Sequence, residues 1–434
     1  KWHDGAPFSA DDVVFTFNTL LDPKTNTVRR SSYIIDGVPI QFKKMGTHIF
    51  QATLPKPFAP VLVRLSIPIL PKHILEKENI NQASFNRKPV GTGPFKFEEW
   101  KSGQYIRLSR NDQYFGKKPL LKGIILKMIP DTNTALVALE KGEIDTSGIP
   151  PKDYERYQSK NNLDIYRFSQ LNYTYMGFNL KSPLFSDHKV RIAISHAINR
   201  DTLVKNVLKG FGRPAYLPTS PVMWSYPNES KIEKYGYNPE KSIQILQEIG
   251  YKKNTKTGIF EKKGIPLEFT VMMGKGSQVG EKSAQIIQQF LTNVGIKMKL
   301  QMMEWSSFNK LLDEHKDPKD FDAVILGWSL GLDPDAYSIW HSSQYPKGFN
   351  FIGYQNETVD KLLVDGRLEV ERGKRKVIYG KLYSEIAKDV PYYFLFYPDS
   401  LVAVNSRVKG LSSPGPAGLF NNIENVYIAK STNP

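Results

Sequence analysis

The sequence predicts an α/β protein large enough for more than one lobe. Two observations carry this. At 434 residues the chain exceeds the size at which a single hydrophobic core usually divides. From residue 266 onward, short alternating apolar runs and amphipathic runs follow one another in the order β-α-β-α-β, the pattern of a parallel sheet with right-handed crossovers.

Taken in order, the elements read as follows. Ser9-Ala10-Asp11-Asp12 has the form of a capping box, and Val13, Val14, Phe17, Leu20 and Leu21 follow it at helical spacing. The stretch "PVGTGPFKFEEW" (89–100) is a Gly/Pro turn entering a strand, and "QYIRLSRNDQY" continues as another. "GIILKMIPDTNTALVALEKGEID" (123–145) reads as a strand, a cap at Asp131 and a helix stopped at Gly142. "LNYTYMGFNL" (171–180) is a strand. "PLFSDHKVRIAISHAINRDTLVKNVLKG" (183–210) is a pair of helices, the first capped by Ser186 or Asp187. A capped helix covers 237–251. Leu267, Phe269, Val271 and Met273 alternate as a strand, a helix follows over 280–294, and Ile296, Met298, Leu300 and Met302 alternate again. A helix near 306–313, a buried strand at 321–326, helices at 357–365 and 372–388, and strands within 392–410 complete the chain.

Composition excludes several chemistries. There is no cysteine, which removes thiolate metal sites, thiol nucleophiles and disulfides. No apolar run approaches the ~18 residues of a membrane span. The net charge of +16 invites a nucleic-acid reading, but the lysines are scattered among acids and no aromatic-basic module accompanies them. The densest run, "ERGKRK" (371–376), reads as a solvated helix face. The seven histidines include no zinc-type spacing, and neither a phosphate loop nor a nucleophile elbow occurs. No cofactor and no resident metal are expected.

One stretch asks for a functional explanation. In "FDAVILGWSLGLDPDAYSIWHSS" (321–343) a buried strand opens into a loop with Trp328, Asp333-Pro334-Asp335 and Trp340-His341. Ligands of parallel α/β sheets sit beyond the carboxyl ends of the strands, so this loop and "MMGKG" (272–276) fall on the same edge if their strands are parallel neighbours. Asp333 and Asp335 could form an acid/base pair, but glycosidase carboxylates normally come from different elements, and Asp-Pro-Asp is commonly turn chemistry. Trp328 offers a flat apolar face to a ligand. Trp224, Trp305 and Trp340 read as packing.

Six segments, in order, resemble the extracellular solute-binding proteins of peptide, nickel and related ABC importers. These are "KWHDGAPFSADDVVFTF", "PVGTGPFKFEEW", "SRNDQYFG", "PDTNTALVALEKGEID", "FSDHKVRIAISHAINRD" and "GWSLGLDPDAY". The resemblance implies a two-lobe periplasmic-binding-protein-like fold with a hinge and a central cleft. Lobe I would comprise 1–265 (a 1–168 subdomain and a 169–265 sheet-and-helix part) with a return over 399–434, and lobe II 266–398. The opening "KWHDG" implies that the N-terminal part of lobe I lies upstream.

The function implied is capture of a di- or oligopeptide in the cleft and delivery to a membrane permease, without catalysis. The protein would act as a monomer, in the periplasm or as a cell-surface lipoprotein. A nickel chelate or an oligosaccharide is the alternative solute. A glycoside-active enzyme using Asp333 and Asp335, or a peptide-holding chaperone, is the rival class. The expected ligand-binding residues are Trp328, Ser329, Leu330, Gly331 and Asp333, with Met272, Met273 and Gly274 beside them and Tyr175 and Asn179 from the hinge side, near Tyr173. Peptide-binding members commonly carry an Asp a few residues after this Trp, paired with the peptide α-amine. Here that stretch is Ser329-Leu330-Gly331-Leu332, and the first acid is Asp333. Either Asp333 takes that role or it fixes the turn.

Overall fold

The structure, a computed structural model, describes residues 1–415 and 418–429. The chain forms two compact units, one built from 1–168 and 400–434 and the other from 169–399. The chain therefore passes between them twice, at 168/169 and inside the long strand Tyr392–Asn405.

In the first unit, helix Ala10–Leu21 starts at the expected capping box: Ser9 accepts from the Asp11 amide, and the Ser9 amide donates to Asp12 at 2.9 Å. Asp12 also accepts from the Lys72 amide at 2.9 Å, so the cap joins two segments. Val13 and Phe17 pack with Tyr33, Ile35, Ile40, Phe42 and Phe58, and the Phe17 and Phe42 rings stack at 4.3 Å. The 95–101, 105–110 and 123–127 strands form an antiparallel sheet. Helix Thr132–Glu140 follows, capped by Asp131 as expected.

The second unit is a mixed sheet between two helical layers. Strand Glu268–Gly274 is parallel to both Lys297–Met303 and Ala323–Ser329, as the β-α-β-α-β order requires. Strand Asn172–Phe178 then runs antiparallel to Ala323–Ser329, and the start of Tyr392–Asn405 runs antiparallel to it in turn. The sheet is thus parallel only where local crossovers impose it. The segment 169–265, expected with the first lobe, belongs to this unit, because its strand forms the centre of this sheet.

Alternation along the strands sends residues to opposite faces. Met176, Phe178, Ile325 and Tyr393 face one core, with Ile194, Leu246, Ile287 and Leu291 from the helices His188–Ala197, Pro239–Glu248 and Gln278–Asn293. Tyr173, Tyr175, Val324, Tyr392 and Phe394 face the other, with Phe308, Leu363, Tyr379 and Tyr383 from the helices Trp305–Asp313, Glu357–Leu368 and Arg372–Asp389. Arg191 closes the last of these helices: it donates to the carbonyls of Asp389 (2.8 Å), Val390 (3.0 Å) and Phe185 (2.5 Å). Burial pushes its pKa down to about 10, against the pull of nearby Asp389.

Candidate functional site

Two loops leave the sheet at one edge. Met272 pairs in register with Val324, so the parallel strands Glu268–Gly274 and Ala323–Ser329 leave the sheet at the same end, the first opposite Leu326 and the second running on to Ser329. The antiparallel neighbour begins there, with Asn172 opposite Ser329 and Tyr173 opposite Trp328. One further bond, from the Leu330 amide to the Leu171 carbonyl at 2.6 Å, carries the ladder past the strand end. Ser329 and Gly331 are exposed, Leu332 is 57% exposed, and Trp328 and Leu330 are partly buried. The extended backbone thus runs on as far as Leu330, and the loop begins after it, with Ser329, Gly331 and Leu332 open to solvent.

Beneath Trp328 lies a floor of rings. Trp328 is parallel to Tyr175 at 6.4 Å and meets Phe349 edge-on at 5.5 Å. Tyr175 stacks on Tyr392 at 3.9 Å, and Tyr392 contacts Trp340 at 4.6 Å. Polar atoms are buried within it: the Trp328 indole N–H and the hydroxyls of Tyr175 and Tyr392 lie close enough to interact, and the Tyr173 hydroxyl is buried without a hydrogen-bond partner among the described residues. Burial holds the hydroxyl pKa values of Tyr173 and Tyr175 well above the usual range. These hydroxyls therefore stay protonated within the floor. Tyr175, expected at the ligand, is fully buried and acts as floor.

The carboxylates are engaged. Asp333 accepts two bonds from Arg375, both at 2.9 Å, with only 6% of the arginine side chain and 9% of the aspartate side chain exposed. Asp335 accepts from Arg367 at 2.9 and 3.1 Å, with 8% and 0% exposed. Asp333 also accepts from the Asp335 amide at 3.0 Å, and Asp335 from the Tyr337 amide at 3.2 Å, fixing successive turns. Desolvation works against the charge of Arg375, but Asp333 and the neighbouring Tyr379 together outweigh it and leave its pKa raised. Of the two roles considered for Asp333, the geometry is that of the turn: an ammonium would have to displace a buried guanidinium. The same pairing leaves neither carboxylate free for acid/base work. It also corrects the reading of "ERGKRK" as wholly solvated, because Arg375 is buried while Glu371 caps the helix through the Gly373 and Lys374 amides.

The remaining expected residues divide by sheet position. Met272 lies on the Trp328 face, partly buried. Met273 points into the opposite core, since neighbouring strand residues alternate. Gly274 ends its strand under a ring: a Cβ there would lie 2.5 Å from Trp305. Trp305, read as packing, is 47% exposed, and its signal was the "MEWSSF" turn directly after a strand. Trp340 is buried as expected, and Trp224 lies under Arg372 at 4.9 Å. Asn179 is at the far end of its strand, where Phe178 pairs with Ala323, about 20 Å of strand from Trp328. It is buried and donates to the carbonyls of Lys319 (3.1 Å) and Phe321 (2.7 Å). Asn179 is therefore a structural tie rather than a neighbour of the loop. Asn179→Ala is expected to cost about 1–3 kcal/mol of stability by stranding these carbonyls and to leave ligand affinity unchanged, as denaturation and calorimetry would report.

His341, beside the loop, stacks on Tyr337 at 4.1 Å and bonds Ser343 at 2.8 Å. Among the described residues no group of three or more His, Asp or Glu is arranged to hold a metal ion.

Residues 1–350 match the family described as "Bacterial extracellular solute-binding proteins, family 5 Middle". The chain is 39% identical to the oligopeptide-binding protein AppA of Bacillus subtilis, over 99% of this chain and 79% of that one. Its fold superposes on the structure of that protein in complex with a nonapeptide, with a TM-score of 0.89 at 38% identity, covering 99% of this chain and 85% of the other. It also resembles NikZ of Campylobacter jejuni in complex with Ni(L-His), with a TM-score of 0.87 at 30% identity, covering 98% and 85%.

Proposed function

We propose that this chain, which belongs to the family 5 bacterial extracellular solute-binding proteins, captures a peptide for an ABC importer. It binds outside the cytoplasmic membrane and hands the peptide to a permease, without chemical turnover. The family and the peptide-bound relatives support this reading. The observation that carries it in this molecule is the extended strand end at 328–330, followed by exposed Gly331 and Leu332, beside an aromatic floor. An extended strand end suits another extended backbone, and rings accept side chains of varied shape.

The amine end of the peptide is not recognised by Asp333 in this reading. N-acetylating a test peptide removes its ammonium, and Asp333→Asn removes the candidate partner. If the two were partners, their effects on affinity would be coupled. With Asp333 committed to Arg375, the acetylation penalty is expected to be the same in wild type and mutant, to within about 0.5 kcal/mol. Titration calorimetry with a nonapeptide and its N-acetyl form measures both arms. A penalty that vanishes in the mutant assigns the amine to Asp333. Absence of binding by any peptide, together with binding of a nickel–histidine chelate, would transfer the assignment to that solute.

A further inference from the structure

At the end of the second unit's sheet remote from Trp328, the chain makes a small three-stranded antiparallel sheet from Lys252–Lys253, Phe260–Lys262 and Ile265–Pro266. Its place is fixed by two bonds at the starts of the parallel strands, from the Phe260 amide to the Gly295 carbonyl (2.8 Å) and from the Leu267 amide to the Phe260 carbonyl (2.6 Å). Within 251–264, "YKKNTKTGIFEKKG", five lysines accompany one acid. That acid, Glu261, is bonded by Asn254 at 2.8 Å. Lys252, Lys253, Lys256 and Lys263 are exposed. Lys297 and Lys299, exposed on the adjoining edge strand, both bond Glu268.

Two features give this cluster a direction. Lys263 occupies the first position of the two-residue Lys263-Gly264 turn with φ +53, and Gly264 follows at +76. Both positions call for a left-handed backbone, where Asn or Gly is the favoured first residue, so a lysine is carried at the hairpin tip against its preference. Directly after it, Ile265 is 70% exposed, and Pro266 is exposed too. Exposed lysines on the same small sheet as an exposed aliphatic side chain match a lipid interface, where the apolar group enters the headgroup boundary and the cations meet anionic lipid. An excess of like charge on one small sheet is best met by an anionic surface opposite.

We propose that the 252–266 hairpin, with Lys297 and Lys299, docks on the anionic lipid surface of the membrane. The contact holds the protein at the bilayer while leaving the Trp328 edge, at the other end of the same strands, free for ligand.

The test is sedimentation of the whole chain with vesicles of phosphatidylcholine alone or mixed with phosphatidylglycerol. Binding is expected only to the anionic vesicles and is expected to fall as salt rises. The K252Q/K253Q/K262Q/K263Q variant should bind about fivefold more weakly per lysine removed. Ile265→Ser alone should weaken binding without changing its salt dependence. Peptide affinity and circular dichroism should match wild type in both variants. Equal binding to neutral vesicles, undiminished binding by the quadruple variant, no vesicle binding at all, or binding to soluble polyphosphate but not to vesicles would each overturn the proposal.

Discussion

Arg375→Ala is expected to lower the stability of the 169–399 unit by about 3–5 kcal/mol, because it leaves the Asp333 carboxylate buried without its partner. The size follows from the geometry. Two bonds at 2.9 Å join side chains that are 6% and 9% exposed, so water cannot replace the guanidinium without opening the loop. The arginine also donates to the Gly366 carbonyl at 2.9 Å, so its loss strands an acceptor at the end of helix Glu357–Leu368 as well. The double variant D333L/R375M should recover part of the loss, since an apolar pair avoids the cost of an unpaired buried charge, while the Gly366 carbonyl and the Asp335 amide still lose their partners. Chemical denaturation followed by fluorescence measures both, with the loss confined to one transition if the two units unfold separately. A loss below about 1 kcal/mol for Arg375→Ala would mean that the pair is solvated, as a surface bridge is, and would return Asp333 to candidacy as a ligand group.

Trp328→Ala is expected to weaken peptide binding by about 2 kcal/mol or more, roughly 30-fold, in the range of central anchor residues at interfaces. The ring is partly exposed at the sheet edge and sits on an aromatic floor that exists without it, since Tyr392 contacts both Tyr175 and Trp340 directly. The fold should therefore persist. Trp328→Phe should keep part of the affinity, because a flat ring remains while the indole N–H is lost. If Trp328 is instead packing, truncation would cost about 3–5 kcal/mol of stability, and the folded fraction would bind peptide with unchanged affinity. Denaturation and calorimetry on the same sample separate these outcomes.

Much of the fold was legible because its signals are local. The Ser9, Asp131 and Asp187 caps form within a turn of their own residues, and strand and helix periods are read over a few positions. The parallel pairing of 268–274 with 297–303 and 323–329 followed from intervening helices that force a crossover. The placement of the 328–333 loop at the carboxyl edge followed with it.

What the tertiary structure alone decided involves partners far apart in the chain. Strand 172–178 pairs with 323–329, so Tyr175 becomes floor and Asn179 lies at the wrong end to meet the loop. Asp333 and Asp335 are indistinguishable in sequence from a free carboxylate pair until Arg375 and Arg367 are brought to them from two later helices. The physical reason is one of range. Caps and turns are set by bonds a chain makes with itself within a few residues, and their chemistry is written in the residues that make them. Whether a charge is free or paired depends on which distant side chain packing delivers into the same low-dielectric space, and that is settled only when the sheet and its helices close on one another.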